Sequence, residues 1–237
     1  MDDEKRRQIL EVTARILESG GAPAVSTRSV ATAAGVRAAS LYQLFGDMDG
    51  LLAALARHVF DRYLAEKQAL APTGDPIADL RRGWDMHVGF GLRHPAFYLL
   101  MFGTDRPGRR PPAVEQGRDL LLRYLDRVAG AGRLRVPPAV AAELALAGST
   151  GVTLALIGAA GTPASSPIND DLGLSAKMRD SLFAAILTDA PAATEPGLAP
   201  SALALDAALT AQHPELLRPA ETALLRDWLH RLSSGTP

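Results

Sequence analysis

The sequence predicts an all-α protein, and its apolar pattern carries that prediction. Apolar residues recur at the i, i+3, i+4 and i+7 spacing of an amphipathic helix over most of the chain, and no segment alternates convincingly like a strand. Gly and Pro clusters interrupt the pattern at intervals that suit helices of ordinary length. With 237 residues, 47% of them hydrophobic and 22% charged, the chain can bury one core or two.

The N-terminal part predicts one helix followed by two short ones. An apolar stripe marks the first helix, and Gly20-Gly21 ends it. Ser26, or Thr27 beside it, can cap a second helix that runs to residue 34, where Gly35 supplies a turn. A third helix covers about residues 38–45. The stripe of the first helix consists of Ile9, Val12, Ile16 and Leu17.

Proline residues mark the starts of several of the helices that follow. Asp75-Pro76 is typical of a capped helix start, and Pro137-Pro138 opens a long helix that holds almost no charge. The cluster Ala71-Pro72-Thr73-Gly74 is the first clear break in the chain. The later predicted helices cover residues 48–70, 76–94, 96–102, 113–130, 138–160, 174–189, 201–212 and 220–233. Loops or linkers are predicted at 103–112, 162–173 and 191–200.

Residues 27–45 predict a helix-turn-helix. Two short helices that cross near a right angle need a small residue at the crossing, here Ala31, and a glycine at the turn, here Gly35. The predicted inward residues are Val30, Ala34, Val36, Leu41 and Leu44. The second helix then presents Arg37, Ala38, Ala39, Ser40 and Gln43 outward, as a recognition helix does in the major groove, with Arg37 and Gln43 supplying donors. The alternative is a helical hairpin inside a core.

Residues 6–60 resemble the DNA-binding domain of TetR-family transcriptional regulators. The resemblance rests on Thr27, Val30, Ala31, Ala34, Gly35, Val36, Leu41, Tyr42, Phe45 and Leu51-Leu52, and it covers about a quarter of the chain. It implies that Thr27 and Tyr42 hold DNA phosphates, and that Arg28 with the helix residues Ala38, Ala39, Ser40 and Gln43 faces the bases.

The chain departs from the family pattern at Met48, where a lysine is usual. Asp47 precedes this methionine, and its position favours a structural role as a helix cap. Residues 1–60 carry seven basic and seven acidic side chains, so any affinity for DNA must be local. We therefore expect weak DNA binding unless dimerisation compensates, with Arg37 as a substitute cation.

The part of the chain after residue 74 predicts a small-molecule site. Aromatic residues cluster around residues 84–102 and a few polar groups accompany them, a composition typical of such sites, although most aromatic stripes are plain core. The predicted ligand-binding residues are Trp84, His87, Phe90, Tyr98, Met101 and Thr150.

A symmetric dimer is expected, because a helix-turn-helix commonly reads two half-sites related by a two-fold axis. Small residues at helical spacing in the long neutral helix, Ala147 with Gly151 and Ala155 with Ala159, allow close helix approach. The resemblance assigns the interface to this helix and to the helix after residue 173. The alternative is that both helices are buried within one subunit.

The sequence gives little support to catalysis. The chain has no cysteine, its five histidines form no metal-binding pair, and no phosphate-binding or dinucleotide-binding glycine motif occurs. We predict no catalytic residues, no metal and no cofactor.

The N-terminus is charged and lacks the apolar run of a secretory signal, so we predict a cytoplasmic protein. The uncharged run 144–160 is short for a membrane span, so we predict a buried helix there and no membrane partner.

These observations predict a homodimeric, TetR-like transcriptional repressor that binds double-stranded, palindromic operator DNA. By the resemblance, a small apolar effector that enters near Trp84, His87 and Tyr98 releases it. We assign residues 1–50 to the DNA-binding domain and residues 51–237 to a helical ligand-binding and dimerisation domain. The alternative is a helical small-molecule-binding protein in which DNA binding is weakened or lost.

Overall fold

The computed structural model describes residues 2–69, 71–103, 112–160, 173–188, 197–212 and 217–234. Within these ranges every regular element is a helix, and the only strand-like pairing is an isolated bridge between Leu134 and Leu187. The all-α prediction is confirmed. The helices are α1 (Asp2–Ala24), α2 (Thr27–Ala34), α3 (Ala38–Phe45), α4 (Met48–Gln68), α5 (Pro76–Arg93), α6 (Pro95–Phe102), α7 (Pro112–Gly130), α8 (Pro138–Ala159), α9 (Leu174–Ile186), α10 (Leu198–Gln212) and α11 (Pro219–Ser234).

Local chemistry sets most helix ends where the sequence predicts them. Gly21, which belongs to the predicted stop, interrupts α1 with φ 68° and ψ −175°. Two predictions for the C-terminal half are wrong: α9 ends at Ile186 instead of 189, and α10 begins at Leu198, inside the predicted linker. Of the predicted loops, residues 104–111, 162–172 and 191–196 lie outside the described residues.

The chain divides into two compact units, and the division runs through α5, α7 and α8. The first unit comprises Met1–Ala71, Met86–Gly117 and Thr153–Ala160. It therefore holds α1 to α4, the second half of α5, α6, the start of α7 and the end of α8. Its core is apolar, with Ile9, Val30, Leu55 and Tyr98 completely buried.

The second unit comprises Pro72–Asp85, Arg118–Val152 and Gly161–Pro237. Leu125, Val128 and Leu134 are completely buried in it. The two C-terminal helices pack on each other, and Arg226 Nε donates to Asp206 Oδ1 across them at 2.8 Å.

A buried carboxylate closes the start of the second unit. Asp79 is 1% exposed, and it accepts hydrogen bonds from the backbone and hydroxyl of Thr73, from Arg82 and from Arg127. Burial opposes the ionisation of Asp79, but the bonds from Thr73 and Arg127 outweigh it and hold the pKa of this carboxyl below its usual range. The breaker at residues 71–74 is thus tied to α5 and α7.

Candidate functional sites

Hydrogen bonds fix the start and end of α2. Ser26 Oγ accepts from the backbone N–H of Ser29 at 3.1 Å, and Ser29 Oγ accepts from the N–H of Ser26 at 2.9 Å, which forms a capping box. Gly35 ends the helix in the left-handed region, with φ 65°. This glycine turns the chain into α3, so α2 and α3 form the predicted helix-turn-helix.

The core of the helix-turn-helix follows the predicted inward set with one shift. Val30, Ala31, Ala34 and Leu41 are buried as predicted. The predicted inward residues Val36 and Leu44 are only half-buried, and Phe45 takes the buried place at the end of α3 instead. The helical period explains this shift, because Phe45 lies four residues after Leu41 and so shares its face.

The residues predicted to face outward from α3 and its N-cap are mostly exposed to solvent. Arg37, Ala38, Ala39 and Gln43 are exposed, and Ser40 is half-buried. On α2, Arg28 is exposed and Thr27 is half-buried. Small side chains on this face let a helix backbone approach a DNA groove closely.

Thr27 and Tyr42 meet at the edge of this face. Thr27 Oγ1 lies 3.4 Å from the hydroxyl of Tyr42, whose side chain is half exposed. Two adjacent hydroxyls can donate to one phosphate oxygen group. The phosphate-binding role that the resemblance gives these residues stays a prediction.

Two basic residues of α1 contact α3, and the sequence reading missed both. Lys5 Nζ donates to Ser40 Oγ at 3.3 Å, so an ammonium lies at the recognition face. Arg6 Nη1 donates to the carbonyl of Leu44 at 2.7 Å, and its guanidinium lies 4.5 Å from the centre of the Phe45 ring. The basic run 5–7 is the feature of the sequence that marks both residues.

The segment that lacks the usual lysine has a clear structural role. Asp47 Oδ1 accepts from the backbone N–H of Gly50 at 2.6 Å, and Asp47 is the N-cap of α4. Asp47 therefore has the capping role that the sequence predicts, and Met48 beside it is half-buried.

In the first unit, four predicted ligand-binding residues lie in one aromatic region. His87, Phe90, Tyr98 and Met101 are all buried. His87 Nε2 lies 2.7 Å from the Tyr98 hydroxyl, and the Tyr98 and Phe102 rings are 4.6 Å apart. This polar pair inside aromatic surroundings has the chemistry of a small-molecule site.

Burial keeps the imidazole of His87 neutral. Desolvation, assisted by the positive charge of Lys67, lowers the pKa of His87 from 6.5 to about 3. Burial also lowers the pKa of Lys67 to about 8, and its ammonium lies 4.9 Å from the centre of the Tyr63 ring. At neutral pH the His87–Tyr98 pair therefore offers hydrogen bonds without charge.

The remaining two predicted ligand-binding residues belong to the second unit. Trp84 Nε1 donates to Ser175 Oγ at 3.1 Å, and its ring meets the Phe183 ring edge-on at 6.2 Å. These contacts explain Trp84 by packing within that unit. Thr150 is half-buried on α8.

One face of α8 in the second unit is exposed and apolar or small. Val140 is 46% exposed and Leu144 43%, and Ala147 and Gly151 continue the same helical stripe. On α9, Met178 is 41% exposed. The predicted small pair Ala155 and Ala159 is half-buried and lies in the first unit.

The helix α8 is also long and apolar enough to cross a membrane, judged by length and composition alone. Only 39% of its most apolar stretch is buried. The prediction that this helix is buried is therefore wrong for most of that stretch. A core helix of a globular protein passes the same test, and this single helix is weak support for a membrane span.

The described ranges contain no cluster of three or more His, Asp or Glu side chains with the geometry of a metal site.

Comparison with known proteins agrees with the N-terminal geometry. Residues 9–55 match the sequence profile of the bacterial regulatory proteins of the tetR family. The chain is 36% identical over 83 residues to the HTH-type transcriptional regulator BetI of Burkholderia ambifaria. That match covers 34% of this chain, and it spans less than half, 43%, of the length of the curated relative.

Solved structures share the fold over a longer stretch. A TetR transcription regulator from Haloarcula marismortui has a TM-score of 0.62 at 18% identity, covering 78% of this chain and all of that one. A possible TetR family transcriptional regulator from Streptomyces coelicolor has a TM-score of 0.53 at 24% identity and covers 97% of both chains. The likeness therefore extends from the helix-turn-helix into the helical remainder of the chain.

Proposed function

We propose that this chain, a TetR-family transcriptional regulator by its N-terminal domain, is a homodimeric repressor that a small apolar effector releases from its operator DNA. The observation that carries the proposal is the exposed face of α3, which rests on a buried core and is flanked by the Thr27–Tyr42 hydroxyl pair. We assign DNA binding to residues 1–50, and ligand binding and dimerisation to residues 51–237.

In the proposed complex, the outward residues of α3 enter the major groove. Gln43 and Arg37 supply hydrogen-bond donors to base edges or phosphates, and the small residues Ala38, Ala39 and Ser40 allow close approach. Arg28 faces the bases from α2, while Thr27 and Tyr42 hold a phosphate. Contacts of the last kind fix the register of the protein on the duplex and carry no sequence information themselves.

Lys5 offsets the lysine that is lacking at Met48. Its ammonium lies 3.3 Å from Ser40 Oγ, and Ser40 belongs to the proposed base-facing set. Because residues 1–60 are balanced in charge, such local cations must supply most of the attraction to phosphate. We therefore expect binding that weakens steeply as salt is added.

The effector is proposed to bind in the first unit beside His87, Phe90, Tyr98 and Met101. The support is the neutral His87–Tyr98 pair and the aromatic rings around it, surroundings that suit an apolar molecule. The sequence also predicts Trp84 and Thr150 as ligand-binding residues, and both belong to the second unit. The effector releases DNA only if it binds the free form more tightly than the DNA-bound form.

Dimerisation is proposed through the exposed stripe of α8 together with α9. Small residues such as Ala147 and Gly151 permit close helix approach, and an exposed apolar face of this kind is typical of an interface. A two-fold dimer then reads a palindromic operator. We propose that the protein is cytoplasmic and catalyses no reaction, in keeping with relatives that are transcriptional regulators.

Fluorescence anisotropy with the DNA upstream of the protein's own gene tests the proposal. The full-length protein is titrated against that DNA and a scrambled duplex at several salt concentrations. We expect selective binding, weakened by Arg37→Ala or Gln43→Ala. Selective binding that both variants leave unchanged would contradict the assignment of α3 as the reading element.

A second candidate function is favoured by the N-terminal domain, which has equal numbers of basic and acidic residues and has Met48 where the family usually has lysine. The chain would then be a helical small-molecule-binding protein whose DNA binding is weakened or lost. The same titration separates the two, since that protein would not distinguish any genomic fragment from scrambled DNA, even in genome-wide site selection at low salt.

A further inference from the structure

A cleft in the first unit lies apart from the His87–Tyr98 pair. Its volume is about 500 Å³, within the range of small-molecule sites. Residues of α1, α4 and α5 form its walls, together with the corner between α5 and α6. Phe90 is the one described residue of the proposed effector site that also lines this cleft.

Aromatic rings line the floor of the cleft. Tyr63, Phe90 and Phe97 are buried there, and the half-buried ring of His94 lies among them. The ring centres are 4.5 Å apart between Tyr63 and Phe90, 5.3 Å between Phe90 and His94, and 6.2 Å between His94 and Phe97. This row of rings offers a surface for a flat, apolar body.

The rim of the cleft carries more unpaired positive than negative charge. Arg15, Arg62 and Arg93 are exposed on three different helices, and no carboxylate of the described residues lies within ion-pair distance of them. Of the two acidic residues on the rim, Glu18 is already engaged, because its Oε1 lies 3.0 Å from His94 Nδ1. Glu11 is the other.

We propose that this cleft is a second small-molecule site, which binds an aromatic compound with one carboxylate. The ring system lies on the aromatic floor, and the carboxylate reaches the guanidinium groups of the rim. A guanidinium pairs with a carboxylate through two parallel hydrogen bonds, which makes arginine well suited to this role. The neutral His87–Tyr98 pair and the charged cleft therefore select different ligands.

Calorimetric titration of the full-length protein with 2-naphthoate tests the site, with the neutral 2-naphthylmethanol as the matched probe. We expect binding of 2-naphthoate, at least about tenfold weaker binding of the alcohol, and a similar loss in the double variant Arg62→Gln/Arg93→Gln. Arg57→Gln is the control, because Arg57 is exposed on α4 and does not line the cleft. Equal binding of both probes, or an unchanged double variant, would overturn the proposal.

Histidine ring signals in NMR spectra locate the probe independently of any arginine variant. His58 and His94 line the cleft, whereas His87 belongs to the proposed effector site and His230 is exposed on α11. We expect 2-naphthoate to shift the signals of His58 and His94 and to leave His87 and His230 in place. A shift at His87 without one at His94 would assign the probe to the effector site and refute the second one.

Discussion

At the scale of single residues, His87 shows how burial decides protonation. Protonating an imidazole that is only 8% exposed costs desolvation free energy, and the positive charge of Lys67 opposes protonation further. Its bond to Tyr98 therefore joins two neutral groups. The sequence predicted both residues as members of the site but did not predict the hydrogen bond between them. The two residues lie on different helices, and the helical period does not specify the angle at which the chain turns at Pro95.

The pKa of His87 predicts an acid-sensitive fold. The folded pKa, about 3, lies below the ordinary value of 6.5, so the unfolded chain binds this proton first and stability falls as pH drops below about 6.5. Between pH 7 and pH 5, we expect the unfolding free energy of His87→Gln to fall by about 2 kcal/mol less than that of the wild type. Urea denaturation at both pH values measures it.

His230→Gln is the control for this measurement, because His230 is exposed. It should keep the wild-type pH dependence. If His87→Gln and the wild type lose the same stability on acidification, His87 is not the group that makes the fold acid-sensitive.

Lys5 predicts a measurable change in salt dependence. The slope of log affinity against log salt concentration is negative. Removing one cation that neutralises a phosphate reduces its magnitude by about 0.9 for each protomer. We therefore expect Lys5→Ala to weaken operator binding and to flatten this slope, measured by anisotropy from about 50 to 200 mM salt.

Arg7→Ala is the matched variant, since the Arg7 guanidinium pairs with Glu4 and is less available to phosphate. It should change the slope less than Lys5→Ala does. The reverse order would place the DNA backbone nearer to Arg7 than to Lys5.

At the scale of elements, the predictable features are the local ones. The bounds of α2 and α3 follow from the serine cap, the left-handed glycine and the helical spacing, all of which are read within a few residues. The contact of Lys5 with Ser40 joins residues 35 apart, so it depends on how α1 packs, which no local pattern states. The division of the predicted ligand set between two units was hidden for the same reason, because α5 itself crosses the division.

Close packing in the first unit depends on the absence of a side chain at Gly91 of α5. A Cβ there would lie 2.2 Å from Thr153 Cγ2 and 2.8 Å from Tyr98 Cδ2. We expect Gly91→Ala to cost about 1–3 kcal/mol of unfolding free energy, because the core must shift to admit it. Thermal and urea unfolding measure the change.

Gly89 of the same helix provides the control. The nearest atom to a Cβ there is the flexible end of Arg93, at 3.4 Å, so Gly89→Ala should be neutral or stabilise by up to about 1 kcal/mol through helix propensity. Thr153→Ser removes the clashing methyl group and should partly rescue Gly91→Ala. An absence of rescue would show that the cost arises elsewhere.

At the scale of the whole molecule, the net charge and the exposed apolar surface bear on DNA binding more than any single hydrogen bond does. The chain has a net charge of −1, which gives no long-range attraction to DNA. Doubling the few cations of the recognition face through a symmetric dimer doubles the phosphates they can neutralise, and it makes both half-sites bind together. The proposed regulator, whose N-terminal domain is balanced in charge, therefore requires the proposed dimer to bind its operator tightly.

That requirement makes Leu144→Arg the decisive variant. A two-fold interface through α8 would bury this charge twice without a partner, so we expect the dimer dissociation constant to rise at least about 100-fold and operator affinity to fall with it. Light scattering after gel filtration measures the mass. Leu224→Arg on α11 is the control, because Leu224 is 48% exposed against 43% for Leu144. A dimer that survives Leu144→Arg but dissociates with Leu224→Arg would move the interface to the C-terminal helices.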